Sequence, residues 1–274
     1  MTEAIVGMGP AASLRRIGAL VLRHLYILRG SWPRVLEMAY WPTLNMVVWG
    51  FTSRFFAHHS ALIAQAAGVL IGAVILWDVM FRGNLGVALS FLEEMWSRNL
   101  GHLAVSPLRP WEWVAAMLTM SFIRTVIGVI PAALLAIPFY HYSIFSLGPA
   151  LLAFWANLLV TGWAVGLGVS ALVLRFGLGA ESLAWVVVFA IAPVAAVYYP
   201  VSVMPGWLQA VAWSLPPAYV FEGMRSIMFG HGVRLDLLAG ATALNLVYLT
   251  VTGALFLRTV HIARRRGLLL NVGE

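Results

Sequence analysis

The 274-residue sequence contains no cysteine and no lysine. Without cysteine there is no disulfide, no thiolate metal site and no cysteine nucleophile. Without lysine the usual phosphate-cradling loop, which ends in Gly-Lys-Ser/Thr, cannot be built, and a nucleotide site of that kind is excluded. Charge of either sign is scarce: charged residues make up 10% of the chain, and all 17 basic residues are arginine. Against ten acids they leave a formal net charge of +7. Such an excess raises the question of nucleic acid, but these arginines flank apolar runs. Anionic lipid headgroups fit them better, and no nucleic-acid partner is expected.

What the chain has in abundance is hydrocarbon. Hydrophobic residues account for 62% of it and the mean hydropathy is +0.90, whereas a soluble domain is about 45 to 50% apolar. The expected class is therefore all-α integral membrane, organised as one membrane domain over 1–274. The N-terminal stretch MTEAIVGMGPAA carries an acid rather than a basic region before any apolar run, so a cleaved signal peptide is not expected.

Over residues 13–30, Arg15, Arg16, Arg23 and Arg29 share one arc of a helical wheel, with Leu14, Ile17, Leu20, Val21, Leu25 and Leu28 opposite and Leu22 the exception. That pattern predicts an N-terminal amphipathic helix lying in the membrane interface. Six transmembrane helices follow, near Leu36–Phe56, Ala61–Phe81, Val114–Phe139, Leu147–Leu174, Leu183–Val203 and Leu237–Leu257. Each has about 20 residues or more, enough for the hydrocarbon layer of about 30 Å. With the N-terminus inside, 13 of the 17 arginines fall on cytoplasmic segments and three outside. Basic residues near the ends of spans stay cytoplasmic, so both termini are predicted to face the cytoplasm.

Between the second and third spans lies a polar island, Ser90–Trp113, with Glu93, Glu94, Arg98, His102, Arg109 and Glu112. Glu94 and Arg98 stand at i, i+4 with the acid first, the favourable order on a helix. Phe91, Leu92, Met95, Trp96, Leu100 and Leu103 share the other face. The island at 90–113 is thus predicted to hold an amphipathic helix along the cytoplasmic surface, either a solvated connector or a docking site for a soluble motor subunit.

The fifth span runs into a segment broken at Pro200, Pro205, Pro216 and Pro217. About ten residues between Pro205 and Pro216 are too few to cross, so 200–230 is predicted to be a re-entrant hairpin between helices five and six. Glu222 and Arg225, three apart, can pair near its outer mouth. Two sets of small residues, Gly162, Gly166 and Ser170, and Gly68 and Gly72, predict close helix packing. Arg124 lies inside the third span, where an unpaired charge is costly; Asp78 and Glu181 are its candidate partners, in an ion pair or along a substrate path. The adjacent His58 and His59 point to different faces and form no metal pair. No nucleophile elbow or HExxH helix is present, so neither catalytic residues nor a bound metal or cofactor is expected.

Two blocks resemble one family, the permease subunits of ABC-2 type exporters. Glu93-Glu94, Asn99-Leu100-Gly101-His102, Ser106-Pro107-Leu108 and Glu112 are similar to its acidic pair, turn and SP-L-x-x-x-E step, although the family commonly has Gly-Thr-Leu-Glu at the turn. Pro200 to Leu208, which includes Pro205 and Trp207, then Leu215-Pro216-Pro217-Ala218-Tyr219 and Glu222-Gly223-Met224-Arg225, resemble its outer hairpin signature. The resemblance implies a homodimer in the cell (inner/plasma) membrane with two copies of a separate ATP-binding subunit that carries the ATP and magnesium. Glu93, Glu94, Arg98 and His102 then couple to that subunit. Pro200, Pro205, Trp207, Pro216, Tyr219, Glu222 and Arg225 then form the extracellular gate. The apolar, aromatic chain suits a hydrophobic, amphipathic or drug- or lipid-like cargo, with a polysaccharide or lipid-linked glycan as the alternative. An ion-coupled secondary transporter is the rival of another class, but it favours paired intramembrane acids and breaks in both halves.

Overall fold

The computed structural model describes residues 9–57 and 61–267, and every regular element among them is helical. In chain order these are α1 (Pro10–Arg29), α2 (Trp32–Ala57), α3 (Ala61–Trp96), α4 (Leu100–Val105), α5 (Pro110–Tyr140), α6 (Ala150–Phe176), α7 (Leu183–Ile191), α8 (Gly206–Trp213), α9 (Pro216–Met228) and α10 (Leu235–Arg266). His58 and His59 lie outside the described residues.

The axis of the bundle is α3. From Ile71 to Met80 every residue is buried, as a helix apolar on all sides must be unless lipid surrounds it. Its walls are α2, α5 and α6. The closest approach is to α6, through glycine: a Cβ on Gly162 would lie 2.8 Å from the Asn84 nitrogen, and one on Gly166 2.8 Å from the Asn84 oxygen. The small-residue ladder is therefore a contact of helix against backbone. Toward α5, a Cβ on Gly86 would lie 2.6 Å from Ser121 Cα, and Ser121 Oγ donates to the Gly83 carbonyl at 2.7 Å. Gly68 and Gly72 make room instead for the ring of Tyr142. A buried amide knot joins α6 to α10: Asn245 Nδ2 donates to Asn157 O and Oδ1 at 2.9 Å each, and Thr161 Oγ1 donates to Asn245 Oδ1 at 2.8 Å.

Four helices are long and apolar enough to cross a membrane: Gly68–Trp96, Pro110–Tyr140, Ala150–Phe176 and Leu235–Arg266. The chain is accordingly a multi-pass membrane protein. The remaining two expected spans come out differently. With 26 residues, α2 has the length, but its most apolar stretch falls short of those four, and it carries Arg34, Glu37 and Pro42. The fifth is a helix of only nine residues, α7, followed by turns to Tyr199. Pro193 has no N–H to give the Phe189 carbonyl, and the chain turns out of helical geometry at Ala196 (φ 56°). The second span also runs 15 residues past Phe81, to Trp96, and this lengthening changes the polar island.

The α3–α6 contact makes a prediction. Gly166→Val drives a branched side chain into Asn84 O and Val87, and overpacking of this kind costs about 1 to 3 kcal/mol. The detergent-solubilised variant should melt several degrees below the wild type. Gly168→Ala, whose Cβ meets Thr252 at an ordinary 3.5 Å, should melt no lower than the wild type.

Candidate coupling site

The expected surface helix over the island is not what forms. Phe91, Leu92 and Met95 belong to the last turns of α3 and are fully buried. There Phe91 packs on Trp113 and Phe256 at ring-centroid distances of 5.7 and 5.8 Å. The helix stops at Trp96, and Arg98 adopts a left-handed backbone (φ 51°). The expected Glu94–Arg98 pair is lost with it, because Arg98 is outside the helix and exposed. Glu94 turns to Asn99 instead, whose Nδ2 donates to Oε2 at 2.6 Å. A six-residue helix, α4, then presents His102 and Val105 to the exterior, Val105 at 86% exposure.

The island's carboxylates meet arginines from three other helices. Glu112, in the first turn of α5, is wholly buried and accepts the Arg109 backbone N–H at 2.9 Å, which closes the helix start. The Arg16 guanidinium from α1 grips the same carboxylate with Nε at 2.9 Å and Nη2 at 2.6 Å. That bidentate geometry is the strongest a carboxylate finds in a protein, and it raises the Arg16 pKa above its ordinary value. Glu94, also buried, pairs with Arg23 of α1. Glu93 receives both oxygens' bonds from Arg124 of α5, at 2.8 and 3.0 Å, with Arg34 of α2 at 3.7 Å. Between the two acids sits His24 of α1, its Nε2 3.8 Å from Glu93 and 3.6 Å from Glu94.

This arrangement corrects two expectations. Arg124 pairs with neither Asp78 nor Glu181 but with Glu93. Side chains lean toward the N-terminus of their own helix, so Arg124 leans back toward the start of α5 and Glu93 leans inward from the end of α3. Asp78 receives Asn45 Nδ2 at 3.5 Å, and Glu181 accepts Trp96 Nε1 at 3.0 Å. The second correction concerns α1. Ser13, Val21, His24 and Leu28 face the bundle and are buried, whereas Leu14 and Leu22 face outward at 69% and 52% exposure. The arginine arc is split: Arg16 and Arg23 reach back to the acids, and Arg15 and Arg29 are exposed. The sequence carried one signal for this. With so few acids in an apolar chain, a buried carboxylate must find one of the arginines.

At the opposite end the proline-rich segment forms α8 and α9. Pro205 precedes the first turn of α8, and Pro216 is the first residue of α9. Glu222 and Arg225 do pair, at 3.2 Å, and they also serve the broken backbone. Glu222 Oε1 accepts the Val201 N–H at 2.6 Å, and Arg225 donates to the carbonyls of Ala196 at 2.7 Å and Val197 at 3.4 Å. Tyr219 is half-buried, edge-on to Trp213 at 4.9 Å, and fills the space over Gly240. Trp207 is 72% exposed, and Pro200 is half-buried just before the turn that leads to α8.

A bundle of long apolar helices, with a charged knot where α1, α3 and α5 meet and a helical hairpin at the far end, defines a polytopic membrane protein. Residues 25–229 match the family model described as ABC-2 type transporter. The chain belongs to that family, the membrane permease components of ABC transporters, which typically pair with an ABC ATP-binding subunit. No curated protein matches the chain.

Breaking one buried ion pair should loosen α1 without dissolving the bundle. Glu112→Gln leaves Arg16 facing a neutral amide, which removes the charge that holds the guanidinium and weakens the tie between α1 and α5. Limited proteolysis of the purified variant should cut within α1 sooner than in the wild type, while fragments from α3 to α6 survive as before.

Proposed function

We propose that this chain is the membrane half of an ATP-driven exporter, a homodimer with two copies of a separate ATP-binding subunit. In this reading it crosses the membrane six times, with both termini cytoplasmic. Here α2 and the α7 segment with its turns supply the two less regular crossings, α1 lies at the cytoplasmic interface, and α8 and α9 dip into the outer leaflet and return. The observation that carries the proposal is the mounting of α4. Its exposed His102 and Val105, with Arg98 in the three-residue turn before them, join directly to α3, which is buried throughout from Ile71 to Met80.

A push on α4 therefore acts directly on α3. Through the pairs at Glu93, Glu94 and Glu112, it also acts on α1, α2 and α5. In this account Arg98 and His102 touch the motor subunit, and Glu93 and Glu94 transmit the displacement from inside the joint. Charge-assisted bonds in a buried setting keep those helices attached while the arginine stems reorient. The hairpin held by Glu222 and Arg225 closes the outer end. Tyr40, Trp41 and Phe51 on the exposed side of α2 suit a hydrophobic or amphipathic cargo moving between two copies.

Two measurements test this. Arg98→Glu with Val105→Asp changes only exposed positions, so the melting temperature should stay within about a degree, surface substitutions being worth within ±0.5 kcal/mol. Co-purification of the ATP-binding subunit should nevertheless be lost. Retention of that subunit with undiminished transport would refute docking at α4. Cargo uptake into inverted vesicles should need ATP and persist when a proton uncoupler collapses the ion gradient. Uptake that follows the gradient instead would return the chain to the secondary transporters.

A further inference from the structure

A groove of ≈ 530 Å³ lies between the last turn of α6 and the final three turns of α10, and it serves none of the roles above. Leu174 and Arg175 line one side and Leu255, Arg258, Ile262 and Arg266 the other. Along α10 those four residues recur at steps of three and four, so they share one helix face. Three guanidinium groups therefore converge on a wall that is otherwise apolar. Among the described residues none of the three forms an ion pair, and no carboxylate lines the groove. The Arg175 guanidinium lies 5.5 Å over the Phe176 ring, which keeps it at the groove's rim.

Depth decides what fits. Both helices are long and apolar enough to cross a membrane, and Arg175 and Arg266 stand at their last residues or next to them. The charged end of the groove is thus at headgroup level. Leu255, 45% exposed, lies on the hydrocarbon side of Arg258, and Ile262, 38% exposed, lies between Arg258 and Arg266. An acidic protein segment would answer the arginines but would leave those two side chains to lipid. A zwitterionic lipid would fill the apolar part but bring its own cation to three others. A phospholipid with a net negative headgroup satisfies both ends, because guanidinium forks match phosphate oxygens in geometry as well as charge.

We propose that this groove is a binding site for an anionic phospholipid. The phosphate is held among Arg175, Arg258 and Arg266 with Ile262 against the glycerol, and an acyl chain runs inward along Leu255. The lipid would fasten the ends of α6 and α10, the same two helices that the Asn157–Asn245 knot joins deeper in the bundle. The site depends on α6 and α10 spanning the bilayer and not on what drives transport.

The test uses the full chain in bilayer discs of phosphatidylcholine and phosphatidylglycerol in equal parts, with native mass spectrometry of the released protein. The wild type should retain phosphatidylglycerol in preference to phosphatidylcholine. Arg175→Gln, Arg258→Gln and Arg266→Gln should each weaken retention about fivefold, and the three together on the order of a hundredfold, from about a factor of five per arginine at a membrane surface. Arg15→Gln and Arg29→Gln, exposed positions on α1, should leave retention unchanged. Equal retention of the two lipids, or full retention by the triple variant, would overturn the site. If the triple variant does not fold, a benzophenone side chain at Ile262 in the otherwise native protein decides. A phospholipid adduct under illumination upholds the proposal, and an adduct to a second copy or to another protein overturns it.

Discussion

A carboxylate placed where hydrocarbon gives way to water must find a cation, and in this chain that requirement shapes the whole of one end. Glu93, Glu94 and Glu112 are all buried or nearly so, and each is met by arginine from another helix. Taking either partner away leaves a charge that the surroundings cannot solvate, so the penalty for separation exceeds the net gain from pairing. For that reason the knot acts less as a source of stability than as a specification. It admits α1 against α3 and α5 in one register, and it keeps α1 from sliding along a bundle whose other contacts are apolar and non-directional.

The opposite end of the bundle follows the same rule with backbone in place of carboxylates. When Pro193 ends α7, the carbonyls of Ala196 and Val197 and the N–H of Val201 lose the partners that helix would have given them. Inside a membrane protein such groups must be satisfied from within. Arg225 and Glu222 supply the donor and the acceptor from α9, and their mutual pairing neutralises what each would cost alone. The broken segment and the salt bridge are thus one unit, which explains why an acid and an arginine three residues apart belong in an otherwise apolar helix.

Much of this was legible from residue order alone. The apolar class, the long spans and the helix breaks at Pro205 and Pro216 follow from periodicity and from the chemistry of proline. Gly162 and Gly166 announced close packing correctly because a missing Cβ has one common use inside a bundle. The errors have physical causes too. Phe91, Leu92 and Met95 form an apolar face that suits a surface helix as well as the buried end of a longer one, and periodicity cannot tell these apart. The end of that helix depends on Arg98 in a left-handed conformation, which non-glycine residues adopt only under tertiary constraint. The partner of Arg124 was beyond reach, because the match with Glu93 follows from how the side chains of α3 and α5 lean toward each other, which periodicity does not encode. Pro193, like Pro200, lacks the N–H that a continuing helix needs, and its position inside the expected fifth span is the sequence signal for the shorter helix.

The two kinds of contact also differ in what they permit. Where glycines bring α3 against α5 and α6, the helices touch through backbone, and a small shear would drive atoms into overlap. Packed interiors of this density do not deform continuously. Ion pairs and side-chain donors tolerate reorientation, because arginine has long, rotatable stems and several equivalent hydrogens. A force arriving at α4 would therefore carry α3, α5 and α6 as one body, and the relative motion would concentrate in the pieces attached by charge: α1 at one end, and the hairpin of α8 and α9 at the other. The glycine contacts decide what stays together, and the arginines decide where the molecule can bend.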